Sequence, residues 1–172
     1  MKPTRARGFI LIELVTTLIL IGLIGSFAAL FLYSGVNGYI ASRRNSEAAL
    51  KAQVALDRIS AELRSLKPNP APVFALRRIT YQNDLGAGNR TLEIEDGPQG
   101  PGIYLTVGGV KSLLLDNVPV DETAEIAYTA GRNLDNEDND NEIESIRVSF
   151  RLAGLEIPLG VEIYPRALVN AP

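Results

Sequence analysis

Hydrophobic positions fall into three regimes along the chain. Residues 9–40 are almost continuously apolar, and Glu13 is the only formal charge among them. A helix rises ~1.5 Å per residue, so ~20 such residues cross a ~30 Å hydrocarbon layer. This run is long enough to span a bilayer. From residue 46 to residue 66 the pattern turns amphipathic: Ala49, Leu56, Ile59, Leu63 and Leu66 recur at helical spacings. Arg43, Arg44, Lys51, Asp57, Arg58, Glu62 and Arg64 lie mostly off that stripe. Pro68 and Pro70 end the helix.

Beyond Pro72 the period drops to two, the strand signature. Residues 73–82 read as a first strand, followed by a turn-rich stretch at 83–89. Residues 91–95 form a short alternating segment, and the Gly/Pro-rich residues 97–102 read as loop. Strands are expected at 103–107 and 111–118, parted by Gly108-Gly109, and at 125–129. The clearest pair comes last. Ile146, Val148, Phe150 and Leu152 face one way and Arg147, Ser149 and Arg151 the other, mirrored after a turn at Ala153-Gly154 by Ile157, Leu159, Val161 and Ile163. That is an antiparallel hairpin with one wet face. Pro158 places part of its return strand at an edge. The fold class is therefore α+β: a long N-terminal α-helix, membrane-spanning in its first half, packed on a C-terminal antiparallel β-sheet domain. The amphipathic stripe is expected to bury itself on that domain.

Charge orients the span. Lys2, Arg5 and Arg7 precede it without an acid among them, which keeps the N-terminus cytoplasmic; Arg43 and Arg44 on the far side reduce the asymmetry. A secretory signal also starts basic, but its apolar region is ~7–15 residues long, and here the run continues well past the small residues 25–29 that could mimic a cleavage site. A lone carboxylate in such a span needs a partner or a headgroup.

A short basic leader ending in Gly8, then Phe9, then Glu13 in an uncharged helix, resembles the cleavage signal of type IV pilins and type II secretion pseudopilins. The resemblance implies a leader at 1–8, cut by prepilin peptidase between Gly8 and Phe9, with Phe9 then N-methylated. It implies that Glu13 pairs with the terminal amine of a neighbouring subunit, which would match a buried charge with an opposite one. The bland alternative puts Glu13 among the headgroups. Domains would then run 9–40 (transmembrane half of the helix), 41–67 (amphipathic half) and 68–172 (β-rich periplasmic domain). The implied partners are prepilin peptidase, other pilin or pseudopilin subunits and an inner-membrane assembly platform. The implied location is the bacterial inner membrane, single-pass, or a periplasmic or surface filament. Gly22 matches a helix glycine common in major pilins, but Leu30 stands where many of them carry proline, which argues against a major pilin; the long helix ending at residues 56–64 and the late strands look like a minor subunit of the pseudopilin J or PilW kind.

Composition narrows the chemistry. The chain of 172 residues has no Cys, hence no disulfide, thiol nucleophile or lipoprotein anchor, and no His, which removes the commonest general base and neutral metal ligand. Net charge is −3 and no basic patch with interleaved aromatics occurs, so nucleic-acid binding has little electrostatic support and is not expected. No catalytic residue is expected. One loop, residues 133–142, is dense in hard oxygen donors, and Asp138, Asp140 and Glu142 alternate as Ca²⁺ ligands can. It lacks the glycine and register of an EF-hand, so a solvated acidic loop remains the preferred reading and no cofactor is required. The alternative to a filament subunit is an uncleaved single-pass membrane protein with a periplasmic binding domain.

Overall fold

The computed structural model describes residues 11–130, 143–155 and 158–165. One helix, α1, runs Leu11–Arg64. Glu13 in its first turn and Arg64 in its last both match the sign of the helix dipole at their ends. The chain divides into two compact units between Ser46 and Glu47. Among the described residues of the first unit, every position of α1 is exposed. Phe27 and Phe31, for example, are 71% and 84% exposed.

The second unit is α+β. The last turns of α1 are followed by two antiparallel sheets. The first is a five-stranded meander, β1 (Val73–Ala75), β2 (Arg78–Asn83), β3 (Gly86–Gly97), β4 (Gly100–Val107) and β5 (Val110–Asp116), paired in chain order. The second has three strands, β6 (Glu125–Ala130), β7 (Ile143–Phe150) and β8 (Leu159–Ile163). One apolar core joins them. Ala52, Ala55, Ile59, Leu63 and Leu66 meet Ile79, Leu92, Ile103 and Leu115 of the first sheet and Ile126, Ile146, Val148, Phe150 and Ile163 of the second. Alanines at 52 and 55 let the helix lie close; Ile59 and Leu63, both 0% exposed, then fill the centre. Each large aliphatic side chain buried this way contributes about 1.5–3 kcal/mol.

The helix stripe is rotated from its expected position. Leu56, Ile59, Leu63 and Leu66 face the core as expected, but Ala49 is exposed, and Ala48, Ala52 and Ala55 take the upper positions. After Arg64 the chain is pinned at once: Leu66 bridges Asn83, Lys67 N donates to Gln82 O (2.8 Å), and Asp84 N donates to Ser65 O (3.0 Å).

The late hairpin has the expected pairing, with Ile146 opposite Ile163, Val148 opposite Val161 and Phe150 opposite Leu159. Pro158 immediately precedes β8, an edge strand that does not need its missing N–H. Ile157 lies outside the described residues. Elsewhere the boundaries move. The expected strand at 73–82 is two strands, because the chain reverses at Leu76-Arg77. Arg77 takes a positive φ of 59° while its guanidinium donates to Ala124 O (3.0 Å) and Asp121 O (2.9 Å). Those two bonds anchor the reversal to the segment entering β6. Residues 97–102 shrink from a loop to a turn at Pro98-Gln99, with Pro101 and Gly102 inside β4 opposite Asp96 and Glu95. β3 accordingly extends well beyond 91–95, and β5 stops at Asp116, short of residue 118.

Candidate functional site

Two groups of residues carry the chemistry, one in each unit. In the first, residues 14–32 of α1 form an uncharged, largely apolar surface whose few hydroxyls are satisfied by the helix itself. Thr16, Thr17 and Ser26 donate to the carbonyls of Ile12 (2.8 Å), Leu14 (2.9 Å) and Gly22 (2.8 Å). Away from water a hydroxyl must find a partner, and the carbonyls of the preceding turn are the ones a helix offers. The helix is long and apolar enough to cross a membrane. Glu13 is the exception to this self-sufficiency: an exposed carboxylate in the first turn with no hydrogen bond or ion pair among the described residues. The nearest cations in sequence, Lys2, Arg5 and Arg7, lie outside the described residues, as do Gly8 and Phe9.

The glycines of this helix are not explained by the chain itself. A Cβ added at Gly22, Gly25, Gly35 or Gly38 meets nothing within 4 Å, and none of the four has a positive φ. A helix-interior glycine costs about 0.5–1 kcal/mol relative to alanine. In lipid, small residues repay that cost when another helix approaches closely.

The second group is buried. The Glu62 carboxylate, 1% exposed, sits between α1 and the β2–β3 hairpin. Arg90 Nη1 donates to Oε2 (2.8 Å) and Oε1 (3.0 Å), Asn83 Nδ2 to Oε2 (2.7 Å), and Arg58 Nη2 lies 2.6 Å from Oε1. Tyr81 Oη stands 3.5 Å from Oε2. Burial first, and then the charge of Glu62, pushes the Tyr81 phenol well above its ordinary range, so it stays a neutral donor. With two guanidinium groups and an amide on one carboxylate, every lone-pair direction is occupied. The arrangement suits a structural clamp between helix and sheet, with no open position for a reacting group.

The hydrophobic pattern does not announce this cluster. It puts Glu62 off the apolar stripe, yet Glu62 is three residues after Ile59 and four before Leu66, on the same helical face, and that spacing is the signal the sequence holds. A companion cluster lies on the first sheet, where Arg78 Nε donates to the buried Glu93 (2.9 Å) and Lys111 bridges Glu93 and Glu95 (2.6 Å to the latter). Hydrogen bonds to Glu93, then Glu95, raise the Lys111 ammonium above its usual value.

An apolar groove also runs beside β5, lined by Leu50 and Val54 of α1 and by Leu113, Leu114 and Leu115. Lys51 and Asp116 form an ion pair across it (3.3 Å). The proposed calcium ligands Asp138, Asp140 and Glu142 lie outside the described residues. Among the described residues no cluster of three or more acidic side chains is placed to hold a metal. No family model, curated protein or solved structure matches this chain.

Proposed function

We propose that this chain is a minor, non-catalytic subunit of a pilin-class filament, one that initiates or caps a type II secretion pseudopilus or a type IV pilus once prepilin peptidase has removed residues 1–8. The observation that carries the reading is Glu13, the single formal charge in residues 9–40, held in the first turn of an apolar helix. A carboxylate there is costly unless an opposite charge reaches it, and a new amine at Phe9 on an adjacent subunit is such a charge. Two further features support assembly. The glycines at 22, 25, 35 and 38 have open space around them, and the second half of the same helix anchors an antiparallel domain. The partners are the peptidase, sibling subunits and an inner-membrane platform, and the β-rich domain lies in the periplasm.

The test is N-terminal mass spectrometry of the chain expressed with and without prepilin peptidase. The expected product begins at N-methylated Phe9, and Gly8→Val blocks its formation. A chain that still begins at Met1 beside active peptidase overturns the proposal. That outcome selects the second reading, an uncleaved single-pass membrane protein with a periplasmic binding domain, which the apolar groove beside β5 favours.

A further inference from the structure

Between residues 33 and 45 the first unit of α1 carries uncharged polar side chains that its own backbone does not bond. Up to residue 32 each hydroxyl is bonded to a helix carbonyl: Thr16, Thr17 and Ser26. From residue 33 onward come Tyr33, Ser34, Asn37, Tyr39 and Ser42, whose side chains have no hydrogen bond among the described residues, until Ser46 Oγ again donates to a helix carbonyl, that of Ser42 (2.9 Å). Tyr33 and Tyr39 are 70% and 68% exposed. A carboxamide left unbonded in hydrocarbon costs several kcal/mol. Asn37 therefore needs water or a headgroup, and the two tyrosines each have an apolar ring with a polar tip, the shape enriched where chains meet headgroups. Arg44 follows, exposed, and can reach phosphate. Residues 11–32 alone measure about 33 Å at ~1.5 Å per residue, already enough for the hydrocarbon.

We propose that the hydrocarbon-spanning segment of α1 ends at Leu32, and that Tyr33, Asn37, Tyr39 and Arg44 form an interfacial belt that hydrogen-bonds phospholipid headgroups on the far side of the membrane. The apolar pattern alone would carry the span on to residue 40; the unbonded polar groups move its end back by two helical turns. The belt rests on the membrane-spanning part of the proposed function but not on leader cleavage. It fixes the depth of the helix: residue 21 lies at the bilayer midplane, and residues 33–44 climb through the headgroups.

The chain contains no Trp, so single tryptophans report depth without background. The full chain carrying Ile21→Trp, Tyr33→Trp or Tyr39→Trp is reconstituted into phosphatidylcholine–phosphatidylglycerol vesicles whose acyl chains are brominated either near the terminal methyl or near the carbonyl. Deep bromines are expected to quench Ile21→Trp at least roughly threefold more than Tyr39→Trp, and shallow bromines to quench Tyr33→Trp best. If Ile21→Trp is quenched deeply but Tyr39→Trp is quenched as strongly, the belt is wrong and the span runs to residue 40, while the membrane reading stands. If Ile21→Trp escapes quenching altogether, the helix does not span and both fail. N-terminal processing, read separately on the same preparations, leaves these outcomes unchanged.

Discussion

Arg90 Nη1 lies 2.8 Å from Oε2 and 3.0 Å from Oε1 of Glu62, with the two side chains 8% and 1% exposed. The pair joins the last turns of α1 to β3 inside the core. Burial removes both ions from water, so either one left alone is far costlier than the pair is favourable. Glu62→Leu strands Arg90 and is expected to destabilise the domain by about 3–5 kcal/mol. Arg90→Met, which leaves Glu62 with Arg58 and Asn83, should cost less. The double variant should be more stable than the sum of the two single losses implies, as urea unfolding of the four chains in a double-mutant cycle would reveal. Strict additivity would mean the two groups do not interact.

Packing makes a second prediction along the same helix. Ile59 is 0% exposed and belongs to the core cluster that residues of both sheets line, whereas Val54, little more than one turn earlier, is 69% exposed. Ile59→Ala should cost about 2–5 kcal/mol, through lost transfer energy plus a cavity. Val54→Ala should stay within about 0.5 kcal/mol. Denaturant midpoints of the two variants decide it, and equal losses would place the helix in the wrong rotation.

Gly102 gives a third. The Gly/Pro-rich sequence around it predicts loop, but it sits in β4 against the neighbouring strand. A Cβ there would stand 2.5 Å from Leu115 O and 2.7 Å from Leu113 Cδ1. The first contact is backbone and cannot swing away, so Gly102→Ala is expected to cost about 1–3 kcal/mol. Gly35→Ala, with nothing within 4 Å of its added methyl, should leave folding of the chain unharmed. Thermal unfolding of both in the same detergent is the measurement, and a harmless Gly102→Ala would contradict the β4–β5 register.

The limits of sequence reading follow from these same residues. The long helix, its proline stop and the late hairpin were legible because each depends on local period: apolar continuity, apolar spacing of three and four, alternation of two. Ile146, Val148 and Phe150 all face the core as that alternation requires. What was missed depends on partners distant in the chain. The reversal at Leu76-Arg77 is held by carbonyls of Asp121 and Ala124, and the burial of Glu62 by Arg90 and Asn83 on the facing hairpin. No local pattern announces a charge that a strand 28 residues away will neutralise. Of the site residues expected from the sequence, Glu13 alone falls among the described residues.

The last prediction concerns pH, where two ion clusters act at opposite ends of the scale. At the acid end, Thr123 donates its hydroxyl and its backbone N–H (2.8 Å) to Asp121 Oδ1. The hydroxyl bond above all holds the carboxyl below its ordinary value of 3.8. A depressed folded-state value means stability that is present above about pH 4 and fades as pH falls through the lowered value. Thr123→Val should therefore return the Asp121 titration, followed by carboxyl NMR shifts, toward 3.8. At the alkaline end Lys111 is raised above 10.5 by its bonds to Glu93 and Glu95, so its contribution is intact below that pH and fades as pH climbs through the raised value. With a third of its side chain exposed, the contribution is screened and small. Glu95→Gln should lower the Lys111 titration and leave that of Asp121 untouched. A Lys111 ammonium that titrates unchanged in the Glu95→Gln chain would show that the bridge is absent in solution.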